Sequence, residues 1–212
     1  MSIKFRLTAM QFLQFFVWGA WLISLGGYMG GTLHFEGGQI GAIFATMGIA
    51  SLIMPGLTGI IADKWINAER LYGILHLIGA GALIYASTAT TYTHMYWAML
   101  LNMLVYMPTL SLANTVSYNA LERYKMDLVK DFPPIRVWGT VGFICAMWAV
   151  DLTGFKASSA QLYVAAISAG PPCAAKEKRC SPLSDWTHWC CSSARRWLSS
   201  SCSPCCWEPP FK

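Results

Sequence analysis

The sequence predicts an all-α membrane protein with five complete transmembrane helices and a partial sixth, and three observations carry that expectation. Of 212 residues, 55% are hydrophobic and 12% charged, whereas a soluble domain has roughly 25% charged residues. Uncharged stretches recur at about 20 residues, enough to cross about 30 Å of hydrocarbon at roughly 1.5 Å per residue. Lysines and arginines collect in alternate loops, as they do on the cytoplasmic side of a membrane.

Span one covers about residues 8–30, TAMQFLQFFVWGAWLISLGGYMG, and holds no charge. It is too long for a signal-peptide core and lacks a small-residue cleavage site, so it is expected to be retained. Span two, about 39–62, carries Gly41, Ala45, Gly48 and Gly59, with Pro55 and Gly56 near its end. Small residues three and four apart let helix backbones approach closely. Pro55 also admits a second reading, as a bend used in rocking motions, and so does Pro108 in span four. Span three covers about 71–88 and span four about 95–118. Span five, about 133–150, opens on Pro133 and Pro134, which suit a first helical turn because their missing N–H costs nothing there. The partial span, about 161–170, begins QLYVAAISAG and stops at Pro171 and Pro172. Residues 1–170 are thus expected to form one transmembrane bundle and 171–212 a separate Cys/Trp-rich tail.

Loop charges orient the bundle. Lys4 and Arg6 precede span one, Lys64 and Arg70 lie between spans two and three, and Arg123, Lys125 and Lys130 lie between four and five. The alternate loops hold a single lysine, Lys156. The amino terminus is therefore expected in the cytoplasm. The net charge of +5 is this bias plus a basic tail, and it calls for no nucleic-acid partner.

Polar side chains inside spans are costly unless they face protein or water. Span one has Gln11, near enough to its end to be interfacial, and Gln14 near its middle. His76 lies in span three, Asn102, Asn114 and Tyr118 in span four, and Arg136 and Thr140 in span five. A lone His76 reads more readily as a packed, hydrogen-bonded residue than as a proton relay. Arg136, about one turn deep, has two readings. It can snorkel, its guanidinium reaching back to the interface. Alternatively it heads a stripe with Thr140 at i+4 and Phe143 at i+7, one helical face of charge, hydroxyl and ring. Such a stripe suits a polar solute containing a ring, with donors for its oxygens and a face for stacking.

Seven of the eight cysteines follow residue 172. As a metal site the tail lacks paired C-x2-C to C-x4-C spacing, and as a disulfide framework it lies on the reducing side of the membrane. A third reading is a change of reading frame. Reading the last base of each codon with the first two of the next forces Leu from Asp185-Trp186, Asp from Trp186-Thr187 and Leu from His188-Trp189. Val follows from Trp189-Cys190 and Leu from Cys190-Cys191, while Cys205 to Glu208 forces LLG. The forced string, LDxLVL, favours an out-of-frame, disordered tail.

Four stretches carry a resemblance: FLQFFVWGAW with LISLGGYM, IGAIFATMGIASLIMPGLTGIIADKW, YMPTLSLANTVSY, and DFPPIRVWGTVGFICAMW. In these, residues 1 to about 169 resemble the amino-terminal half of a nucleoside:proton symporter of the major facilitator superfamily. GIIADKWINAER is similar to the superfamily's loop signature, with Gly59, Asp63, Lys64 and Arg70 in place and its central glycine and paired basic residues altered. The resemblance implies a twelve-helix fold in two six-helix halves, of which the chain holds the first, incomplete. It also implies nucleosides as solute, a proton as coupling ion with no other cofactor, and a bacterial inner membrane. Arg136, Thr140 and Phe143 are the implied nucleoside contacts, and the polar Gln14 and Asn114 are further candidates beside them. The hidden-frame string resembles the same family's central loop and seventh helix.

The expected function is nucleoside transport by proton symport, with this chain alone an inactive fragment that lacks its carboxy-terminal half. The rival is a small membrane protein with a cytoplasmic Cys-rich metal-binding or interaction tail. An enzyme is not favoured: the helical part has no phosphate-binding glycine loop, metal-spaced histidine pair or activated nucleophile.

Overall fold

The structure, a computed structural model, describes residues 3–169, apart from the side chain of Asp63. The expectations for the tail at 171–212 lie outside the described residues. The chain runs through α1 (Ile3–Gly19), α2 (Ser24–Gly31), α3 (Gly37–Lys64), α4 (Ala68–Ser87), α5 (Tyr92–Arg123), α6 (Leu128–Leu152), a 3₁₀ turn at Phe155–Ala157, and α7 (Ala160–Ser168). Five stretches are long and apolar enough to cross a membrane: Ile3–Gly31, Gly37–Ala62, Ala68–Ser87, Tyr92–Arg123 and Leu128–Leu152. The protein is an integral membrane protein of the all-α class expected from the sequence.

Span one is not a single helix. Between α1 and α2 the Trp21 N–H turns to the carbonyl of Trp18 at 3.4 Å, a tighter bond than the α-helical step. Trp21 is held there with 1% of its surface exposed. Span five begins earlier than its prolines suggest. Asp127 caps α6, accepting from the Val129 N–H at 3.0 Å and the Lys130 N–H at 3.4 Å. A capped carboxylate at a helix start outweighs the entry signal of two prolines. Pro133 and Pro134 thus lie in the second turn, and Arg136 is eight residues past Leu128, about 12 Å along the axis.

Neighbouring helices are α1 with α6, α4 with α5, α3 with α5, and α7 with α4 and α1. Helix α5 is central: 61% of its apolar stretch is buried, against 17% for α3. Two apolar clusters fill the bundle. One gathers Val17, Trp21, Leu25, Met29, Ile43, Leu83, Met99 and Leu162, and the other Leu7, Met10, Leu71, Leu112, Val116, Leu121 and Ile135. Buried polar groups on α1, α4 and α5 lie among them: Gln11, Gln14, His76, Thr109 and Ser117.

Close backbone approach occurs where the sequence reading did not place it. A Cβ on Gly41, Gly48, Gly56 or Gly59 of α3 would meet nothing within 4 Å among the described residues. The intimate crossing is α1 on α6. A Cβ on Gly19 would stand 2.5 Å from the Phe143 carbonyl oxygen, and one on Gly142 would collide with the carbonyl of Phe12. Two glycines, one from each helix, thus let the two backbones touch.

Candidate functional site

The α1–α6 crossing carries the stripe read from the sequence. Arg136 and Phe143 are half-buried and Thr140 is exposed. Helical side chains lean toward the amino end of their helix, so a snorkelling arginine here would extend toward Leu128. The guanidinium goes the other way. Its Nη1 lies 3.1 Å from where a Cβ on Gly139 would be, one turn farther along α6. Its Cζ is 4.1 Å from the centroid of the Phe15 ring on α1, within the range of a cation–π contact. Gly139 makes room for this pose, since a Cβ there would also be 2.7 Å from Phe15 Cδ2.

Phe143 is held by a second α1 ring. Trp18 meets it edge-on, with centroids 6.0 Å apart and planes at 78°. The same indole lies 6.1 Å from Phe15 and 6.4 Å from Tyr106. The rings of α1 therefore run continuously from beneath the guanidinium to Phe143.

Gln14 and Asn114 occupy the helix packing behind that stripe. Gln14 has 0% of its surface exposed. Its Oε1 accepts from the Tyr72 hydroxyl at 2.7 Å and faces His76 Nε2 at 2.7 Å, so that nitrogen carries the proton. Its Nε2 donates to Thr109 Oγ1 at 2.8 Å, and Thr109 donates onward to the Tyr106 carbonyl at 2.6 Å. The Tyr106 hydroxyl donates to the Gln14 carbonyl at 2.5 Å. One amide thus ties α1, α4 and α5 together, with His76 as a packed, hydrogen-bonded member. Gln11 lies two turns into α1, which starts at Ile3 rather than near Thr8. It is 0% exposed and donates to Ser117 Oγ at 3.2 Å and Asn114 Oδ1 at 3.4 Å. Asn114 is half-buried.

The loop-signature residues lie at the α3–α4 turn. Gly59 is half-buried near the end of α3, Lys64 is its exposed last residue, and Arg70 is exposed in the first turn of α4. The Asp63 side chain is outside the description. A lysine closing one helix and Glu69 in the first turn of the next both match the helix dipoles.

Sequence reasoning missed Phe15, Trp18 and Gly139. The spacing of Gly139 and Gly142 was a signal for a small-residue face on α6, but nothing in one sequence says which helix that face meets.

A family model described as "Nucleoside H+ symporter" matches residues 1–170. The chain belongs to the nucleoside–proton symporter family. It is similar to the xanthosine permease of Escherichia coli K12, 54% identical over 165 residues, which cover 78% of this chain and 40% of that relative. Similarity to the nucleoside permease NupG of the same strain is 52% over 170 residues, covering 80% and 41%. The crystal structure of nucleoside transporter NupG superposes with a TM-score of 0.78 at 51% identity, over 80% of this chain and 42% of that one. The chain spans about two fifths of the length of these symporter-family relatives, as expected of an amino-terminal half of the major facilitator fold.

Proposed function

We propose that this chain is the first half of a nucleoside transporter driven by proton symport, and that Arg136, Thr140 and Phe143 meet the nucleoside. The observation that carries this reading is the inward pose of Arg136. A guanidinium packed beside Gly139 and over an aromatic face, rather than extended toward the helix start, is tolerated where it borders a polar chamber. Thr140 adds a hydroxyl and Phe143 a stacking face. The partner surface is a carboxy-terminal six-helix half, against which this half rocks around a site at their interface. Gln14 and Asn114 serve from behind, holding α1 and α5 in register. The protein resides in the bacterial inner membrane with its amino terminus in the cytoplasm, as the arginines and lysines of alternate loops support.

Uptake of labelled uridine tests the proposal. Cells expressing only the 212 residues show none, because alternating access needs two bundles. A chimera in which residues 1–169 replace the matching segment of the E. coli nucleoside permease takes uridine up, and Arg136→Leu abolishes that uptake without lowering the amount in the membrane. Normal uptake by the Arg136→Leu chimera refutes the site.

A further inference from the structure

We propose that Phe15 is a positioning residue for Arg136, holding the guanidinium by a cation–π contact in the pose from which it meets the solute. The inference rests on the reading of Arg136 as a solute contact and adds a residue from a different helix to that site.

Arg136 needs a partner to stay where it is. Its stem leans by default toward Leu128, yet its Nη1 lies beside Gly139. Among the described residues no carboxylate pairs with it. Helix α1 carries no acidic residue, and the nearest acid along α6 toward its start, Asp131, is paired with Lys4 Nζ at 2.7 Å. What the guanidinium meets is the Phe15 ring, 4.1 Å from Cζ. That ring is itself seated by the absence of a side chain at Gly139 and by Trp18, whose centroid is 6.1 Å away.

The kind of partner matters. A carboxylate would bind the edge of the guanidinium and occupy its N–H donors, often two at once. A ring engages the face of the cation and leaves the five in-plane donors free. Phe15 therefore fixes the position of the charge without consuming the hydrogen bonds a nucleoside needs. Trp18 does the corresponding work for Phe143, so α1 lays two rings, three residues apart, beneath two members of the α6 stripe.

Two measurements test this. In the uptake chimera, Phe15→Leu raises the KM for uridine about tenfold, within the range of a desolvated cation–π contact, and leaves the maximal rate within about twofold. Phe15→Tyr keeps the ring and restores the parental KM. Unchanged KM in Phe15→Leu, or equal damage in Phe15→Leu and Phe15→Tyr, overturns the proposal, the second outcome indicating shape alone. If Arg136→Leu is impaired and Phe15→Leu is not, only the positioning role falls; if Arg136→Leu transports normally, the site itself falls. The second measurement uses the 212-residue chain in lipid nanodiscs, with phenylalanine at position 15 replaced by rings of increasing fluorination. The thermal midpoint falls stepwise when Arg136 is present and stays flat in an Arg136→Met background. A midpoint insensitive to fluorination in both backgrounds overturns the proposal.

Discussion

The carbonyl oxygen of Phe143 lies 2.5 Å from where a Cβ on Gly19 would sit, so α6 meets α1 backbone to backbone at that point. Replacing a glycine inside a helix by alanine ordinarily gains up to about 1 kcal/mol in helix propensity, and less at a last residue such as Gly19 of α1. At Gly19 the gain is outweighed, because the obstacle is a backbone atom that no rotamer change can move, and overpacking of that kind costs about 1–3 kcal/mol. Gly19→Ala and Gly142→Ala are each expected to lower the thermal midpoint of the chain in detergent. Gly81→Ala on α4, where a Cβ would meet nothing within 4 Å among the described residues, is expected to leave the midpoint unchanged or raise it. Equal effects at Gly19 and Gly81 would contradict the close crossing.

Gln14 is the second test. Changing it to Leu removes one amide and strands the Tyr72 hydroxyl and His76 Nε2, both hydrogen-bonded to its Oε1. A buried polar group left without a partner costs about 1–3 kcal/mol. Gln14→Leu should therefore destabilise the bundle by at least that amount, and by more than Gln11→Leu, whose contacts are 3.2 Å or longer. Denaturant or thermal unfolding followed by helical circular dichroism checks the order.

The start of α6 is a third. Because Asp127 receives the first free N–H groups of the helix, Asp127→Ala is expected to cost about 1 kcal/mol while Asp127→Ser costs only a few tenths. Hydrogen exchange of the amides at 129–132 reads the effect locally. Protection there that is indifferent to Asp127→Ala would return the helix start to the prolines.

A fourth prediction is a small number. Lys4 and Asp131 pair at 2.7 Å, with 50% and 21% of their side chains exposed. An ion pair open to water contributes about 0–1 kcal/mol and is screened by salt. Asp131→Asn should shift the midpoint slightly at low ionic strength and not at all in about 1 M salt. A shift that survives salt would mean the pair is buried more deeply than the structure has it.

Much of the bundle was legible because lipid imposes one rule on every span: an apolar run of sufficient length becomes a helix. The five spans follow from that, as does the Arg136–Thr140–Phe143 face, which needs only the helical repeat. Other features depend on which helix meets which. The glycines of α3 were conspicuous in sequence but meet no neighbour among the described residues, whereas Gly19 and Gly142 do the close packing, because α1 and α6 are neighbours there. The bend at Trp21 has no proline to announce it. That Gln11 packs against Asn114 and Ser117 of α5 was not legible either, because nothing in one sequence says which helix its face meets. Phe15 was one aromatic residue among many until the fold set it under a cation.

Where two main chains touch at Gly19 and Gly142, no layer of side chains remains for one helix to slide on the other. Helices α1 and α6 are therefore joined as one stiff unit, and a tilt of α1 would carry Arg136 and Phe143 with it. Such a tilt would have to be taken up where the unit joins its neighbours, at 20–23 between α1 and α2 and at 124–127 between α5 and α6, where Lys125 adopts a left-handed φ of 53°.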